Sequence, residues 1–596
     1  IPTREHMAEI WRENLHKFLS FREIFDQETR TNVNAVLDQL NAVEYIENYT
    51  YGHAEVLKFI NKGCLLIPID KTNSFLLSKF FQLVERILVK QKIVLDERTL
   101  NNLLQHVIGS TRSNSSVSVF DNLKLLGEIL FENGVKCHKF YQELLGTKPR
   151  GLLLDCCSAR SHDIETRKAA VICIGNLSVK DSNGSFIAER YGEVCLLTIL
   201  DVLQTPQGKD VIKIEHCKLI NACLKAIQDI LPCVRPVLKH HLGQLLLTIK
   251  NYIFYGFPDY EVPFLNAVGS ESPSPRDSSS DMEPDDLSLL KVSLNPVKER
   301  AFPARAALKK KSRQRRGKRQ TNDKNNEQFD EDSNFTPANS RATRGHEYSR
   351  NTRGRQDTRG EVASMNQDNT VLQSWRDRAP EQNWRLDDST NSRWSYPASS
   401  SESEFSDSET GQVRRLRSAT ARVRNTSLVC LQAAIKNSDR KDIFGFWSSF
   451  ISDGSGALSW SLFTIIQNDA TVKNRIGAIS VLMDLLDGSK PFLAAADDSD
   501  RHHASAARPF TPFSSRLGSM VHELHRLLDF IATESSVSVQ CQLVKCLALL
   551  VLNCPYHKLQ HGLLSKIVQN IRPLLKNNEL SLKQPCFVCL SAVLTV

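Results

Sequence analysis

Between about Asn32 and Tyr260, apolar residues recur with the period of an α-helix. Leu77, Phe80, Phe81, Val84, Ile87 and Leu88 fall at i, i+3, i+4 and i+7, which lines one helix face and shows none of the alternation of a strand. Breaks rich in Gly, Asn, Ser or Pro separate such stretches, as at 109–116, Asn133-Gly134, 147–151 and 182–185. One stretch opens on an acidic capping position, Asp163, and continues into a helix whose buried face is predicted to be Ala170, Val171, Ile174 and Leu177, with Ala170 and Gly175 small enough for a neighbouring helix to come close. After about residue 412 the helical pattern resumes. Asp469 to Lys473 lead into Ile476, Ile479 and Leu482; Ser536 to Gln540 into Leu543, Cys546, Leu547 and Leu550; and Leu580 to Lys583 into Phe587, Leu590 and Leu594.

These stretches repeat. Aligning Val423, Val472, Val539 and Leu582 gives spacings of 49, 67 and 43 residues. Two are close to the roughly 40–47 residues of HEAT and armadillo repeats, and the long one contains an insertion from Ala494 to Pro512. A pair of amphipathic helices cannot bury its apolar face alone, so such pairs stack into one continuous core. The helix after Asp163 resembles the second helix of a HEAT repeat, in which an acidic turn residue and an Arg four positions later are thought to bond between repeats. Asp163 with Arg167 fits that role, Asp469 has Lys473 in place of Arg, and the next repeat has Gln540, so no unbroken ladder of charges is expected.

Between about Val262 and Gln412, Ser, Asp, Arg, Asn and Pro dominate and the period is lost; apolar content is too low to offset the entropy of ordering the backbone. The expected organisation is all-α, an α-solenoid of HEAT/armadillo-like repeats in two blocks separated by a long disordered linker. Residues 1–27 form an N-terminal segment, 28–262 the first block, 263–417 a basic and Ser-rich linker, and 418–596 the second block. The apolar pattern at Val596 leads us to expect further repeats beyond it.

Several runs carry a closer resemblance. They are Ser399 to Glu409, Arg422-Val423-Arg424 with Leu428 to Leu431, Phe444 to Ile451, Gly488 to Leu493, Arg508 to Phe513, His522 to Arg526 and Lys545 to Ala548. With both helical blocks they resemble the N-terminal half of the HEAT repeat-containing protein six family. That resemblance implies a repeat fold, and it implies no enzymatic activity, cofactor or ligand.

Charge changes the picture in one place. The chain has a formal net charge of +9, but 300–319 holds ten basic residues and no acidic one, so the rest is close to neutral. Within it, Lys309, Lys310, Lys311, Arg313, Arg315, Arg316, Lys318 and Arg319 read as a nuclear-import signal or a phosphate-binding arm, against the alternative of a solvated tract that keeps the linker extended. Ser401, Ser403, Ser406 and Ser408 sit among Glu402, Glu404, Asp407 and Glu409, a context suited to acid-directed kinases. Phosphate there would place charge beside Arg414, Arg415 and Arg417. No apolar run approaches the length that crosses a bilayer, and charges interrupt the first eleven residues, where a signal peptide needs an apolar core. Fifteen Cys are scattered at helical positions, which suggests buried free thiols in a reducing compartment, cytoplasmic or nuclear.

Candidate chemistry is thin. His557 with His561 and His522 with His525 have helical spacing but no third ligand, and Cys586 with Cys589 is a lone Cys-x-x-Cys in an apolar helix, as bland as Cys156-Cys157. Asp497, Asp498, Asp500, His502 and His503 lie in an Ala- and Ser-rich insertion. Phosphate-loop, nucleophile-elbow and dinucleotide motifs are absent. The expectation is a scaffold or adaptor for protein partners, with no enzymatic activity, cofactor, membrane or small-molecule substrate. The second reading is an adaptor whose linker contacts an import receptor or, weakly, nucleic acid.

Overall fold

The structure, a computed structural model, describes residues 4–24, 26–42, 52–70, 72–91, 93–113, 118–159, 162–181, 183–205, 212–257, 260, 409–452, 460–497 and 513–596. All regular structure among them is helical, in an α-solenoid arrangement. The helices before residue 261 are α1 (Arg4–Ser20), α2 (Gln27–Ala42), α3 (His53–Leu66), α4 (Ser74–Gln91), α5 (Glu97–Arg112), α6 (Val119–Leu130), α7 (Tyr141–Leu145), α8 (Leu152–Cys156), α9 (Ile164–Ser178), α10 (Glu189–Gln204), α11 (Ile214–Ile230) and α12 (Leu238–Ile253). After residue 408 come α13 (Glu409–Asn437), α14 (Arg440–Phe444), α15 (Trp447–Phe450), α16 (Leu462–Asn468), α17 (Val472–Leu486), α18 (Lys490–Leu493), α19 (Phe513–Leu524), α20 (Leu527–Thr533), α21 (Val537–Asn553), α22 (Leu563–Leu574) and α23 (Leu580–Thr595).

The predicted helix faces are the buried ones. Leu77, Phe80, Phe81, Val84, Ile87 and Leu88 of α4 are buried, as are Ala170, Val171, Ile174 and Leu177 of α9. Caps fall where short polar residues precede them: Asp96 and Asp163 accept the amides of Thr99 and Thr166 at 3.0 and 3.3 Å, at the first turns of α5 and α9.

Helices pair and the pairs stack. In one layer α2, α4, α6, α9, α11, α13, α17, α21 and α23 each pack on the next, and in the other α1 packs on α3, α3 on α5, and α10 on α12. Close approach is built in: a Cβ at Gly63 of α3 would lie 2.1 Å from the ring of Phe80 in α4, and Asn176 of α9 donates to the carbonyl of Gly127 in α6 at 2.8 Å.

The structure corrects three expectations. The segment 1–27 is not separate: α1 buries Trp11, Leu15 and Phe18, and the rings of Trp11 and Phe18 stand 5.8 and 4.8 Å from Phe59 of α3. The second block begins before residue 418, because α13 starts at Glu409. In α23 the predicted apolar face is not the covered one: Leu582, Cys586, Cys589 and Ala592 are buried, Leu590 is half-buried, and Phe587 and Leu594 are exposed. Stacking explains this, since α23 covers α21, while no described helix packs on the other side of α23.

A further finding concerns how the two blocks meet. The described residues of both blocks belong to a single compact unit. α13 packs on both α11 and α12, so it is the second helix of the pair that α12 begins. The two blocks on either side of the linker thus share one helix pair, with residues 261–408 in the place of the short turn between its helices.

Candidate functional site: the repeat turns and the linker seam

Each helix pair must close its turn and satisfy the carbonyls at the end of its first helix. Three pairs do so with a long polar side chain near the start of the second helix. Arg167 Nε donates to the carbonyl of Cys157 at 3.1 Å, Arg475 Nε to that of Ile466 at 2.8 Å, and Gln540 Nε2 to that of Ile531 at 3.4 Å. These bonds span ten, nine and nine residues. In the interrupted pair, Arg424 Nη1 donates to the carbonyl of Tyr255 at 3.0 Å, across a separation of 169 residues. The same contact is made with a long insertion inside it.

The contacts between repeats differ from the expected ones. Asp469 is buried, and its partner is Arg424 of the preceding repeat, with Nε to Oδ2 at 2.7 Å. The Thr471 amide and the Asn474 side chain also donate to its carboxylate, at 2.8 and 3.0 Å. Arg475 in turn pairs with Glu534 of the following repeat. Lys473 therefore does not take the Arg role; Arg424 and Arg475 do. Asp163 likewise makes no ion pair with Arg167 and serves as a cap, its carboxyl held below the usual value by the Thr166 hydroxyl and amide against a smaller opposing effect of burial. The missed residues carried a signal: Arg424 sits one position after the register residue Val423, and Arg475 lies six residues beyond Asp469.

Around Arg424 the chain forms a seam. Its guanidinium lies 4.9 Å from the ring centroid of Phe257. Trp460 packs 5.5 Å from Phe254 and 4.9 Å from Tyr260. Gly256 has φ +75°, and a Cβ there would meet Thr420 of α13 at 2.9 Å, so the turn out of α12 calls for glycine. Farther along, Arg235 Nε donates to Asn437 Oδ1 at 2.7 Å. The first turns of α13 lie outside this packing: Arg414, Arg415 and Arg417 are exposed.

The remaining candidates resolve simply. His525 bridges the Val521 carbonyl at 2.7 Å and the Tyr556 hydroxyl at 3.0 Å. All fifteen Cys are free thiols, buried apart from the half-buried Cys64. Burial pushes Cys586 up to about 11, and Cys156 and Cys589 to about 12. Among the described residues no group of three or more His, Cys, Asp or Glu could hold a metal ion, and no helix is long and apolar enough to cross a membrane. The basic run Lys309 to Arg319, the serines Ser401, Ser403, Ser406 and Ser408, and Asp498, Asp500, His502 and His503 lie outside the described residues.

Residues 422–596 match the family described as Domain of unknown function (DUF4042). The match begins inside α13, two residues before Arg424. An uncharacterized protein of Dictyostelium discoideum is 25% identical over 211 residues, which are 30% of this chain and 14% of that protein. The chain thus spans a small part of that relative's length. Among solved structures, the crystal structure of an engineered protein aligns at a TM-score of 0.35 and 9% identity, covering 100% of this chain and 96% of that one. A structure concerning a phosphorylation switch in the interaction between cadherin and β-catenin aligns at 0.20 and 11%, covering 97% and 99%. Both scores fall below 0.5, and the fold assignment rests on the helix order above.

Proposed function

We propose that this chain is a non-catalytic HEAT-repeat scaffold, cytoplasmic or nuclear, that holds protein partners along its helix stack and carries residues 261–408 as an insertion in one repeat. The observation that supports it is the unbroken layer from α2 to α23, in which each helix packs on the next across the insertion point. A stack of this kind offers a row of helix faces and inter-repeat grooves to a partner. The resemblance to the HEAT repeat-containing protein six family points the same way. The test is quantitative affinity capture with the full chain and with a chain in which a short loop replaces residues 261–408. Partners should be shared by both baits; a shortened chain that folds and retains none above background contradicts the scaffold reading.

A second reading, an adaptor for nucleic acid or an import receptor, draws support from the exposed Arg414, Arg415 and Arg417 just past the C-terminal edge of the insertion. Binding of this kind falls steeply with salt. It should weaken when 300–319 is deleted; salt-insensitive binding that survives the deletion removes this reading.

A further inference from the structure

Neighbouring helices of a repeat are ordinarily joined by a short turn. The α12–α13 pair has no short turn. What holds it is a set of side-chain contacts with two faces. On one side, the segment that follows α12 presents Phe254, Tyr255, Gly256 and Phe257, and the turn between α11 and α12 presents Arg235. On the other, α13 and the residue ahead of α16 bring Arg424, Trp460, Thr420 and Asn437. Val423, Leu428, Cys430, Leu431, Ala434 and Ile435 of α13 are all at most 1% exposed. This stripe is thus buried as deeply as the core faces of α9 and α17, whose connections are short.

We propose that the face formed by α11 and α12 is a docking site for α13 of the same chain, strong enough to hold residues 409–596 to residues 4–260 after the polypeptide is cut between them. The occupant follows from the contacts already named: α13 carries the apolar stripe, Arg424 supplies the missing turn contact to the Tyr255 carbonyl, and Trp460 closes the aromatic cluster. Intact, the connection serves to keep the local concentration of α13 high, and loop-closure entropy grows only slowly with its length. The repeat stack then stays whole when the chain is cut between residues 260 and 409.

The experiment uses the full chain with a specific protease site placed at residue 330. After complete cleavage, size-exclusion chromatography with light scattering at about micromolar concentration, a typical range for specific association, should show one species with the mass of one uncut chain and unchanged helical circular dichroism. Separate fragments, aggregation on cleavage, or a doubled mass from exchange between copies overturns the proposal. A cut Arg424→Ala chain, whose uncut form first shows wild-type helicity, should come apart at a concentration at least tenfold higher than the cut wild type. Equal dissociation of the two would mean that the seam is not what holds the pieces.

Discussion

Replacing Asp469 by Ala isolates the contact that joins the interrupted repeat to the next. Arg424 and Asp469 have side chains 8% and 0% exposed, so Asp469→Ala leaves a buried guanidinium with only the Tyr255 carbonyl and the Phe257 ring as company. Removing one partner of such a pair costs about 3–5 kcal/mol. Arg424→Met should cost somewhat less, because the carboxylate it leaves keeps the Thr471 amide and the Asn474 side chain. The double variant Arg424→Met/Asp469→Leu should cost less than the sum, by a coupling of about 1–3 kcal/mol. A repeat array does not unfold in one step, so the assay is local amide exchange. Asp469→Ala should speed exchange in α13 and α17 by roughly two to three orders of magnitude, at about 1.4 kcal/mol per factor of ten, while α1 to α6 stay unchanged. Acceleration below about threefold, or spread evenly along the chain, would refute the reasoning.

Other outcomes follow from single sites. Gly256→Ala combines a left-handed backbone with a clash against Thr420. It should cost about 1–3 kcal/mol, read as faster exchange in α12 and α13; an unchanged profile contradicts the seam geometry. Asp163 has a folded pKa below its usual 3.8, so its cap stabilises above the unfolded value and is lost as pH falls through the folded one. The difference between wild type and Asp163→Ala, about 1 kcal/mol at neutral pH, should therefore shrink below pH 3.8 in acid titrations followed by circular dichroism. Iodoacetamide at mildly alkaline pH should label the native thiols slowly, Cys64 among them, because burial lifts it to about 12. Unfolding should expose all fifteen; fast native labelling of several would contradict the packing.

Helix type and helix faces were legible in the sequence because they depend on local periodicity: α4 and α9 bury the residues their spacing assigns. What depends on neighbours was not. Phe587 and Leu594 satisfy the helical period as well as Val544 and Val551 do, and burial differs because α23 covers α21 while no described helix covers the far face of α23. The candidate turn residues were found in kind but mispaired. Asp469 was placed at a repeat turn by its spacing, yet its cation comes from a residue 45 positions earlier, and no local pattern states which of Arg424, Lys473 and Arg475 will reach it. The two blocks on either side of the linker were legible, but that they share one helix pair was not, for the same reason. Sequence shows where a pattern stops and resumes, and only the α12–α13 contact shows that it resumes within the same repeat.

The central claim, that one repeat is completed across residues 261–408, is tested most directly by the pair Arg235→Cys and Asn437→Cys. Their native side chains meet at 2.7 Å, although they are 202 residues apart in sequence. A short bis-maleimide should bridge the two new thiols in the native chain within minutes, and subsequent cleavage at residue 330 should leave both pieces in one band on a denaturing gel. Two separate bands from the folded, reacted protein would contradict the account.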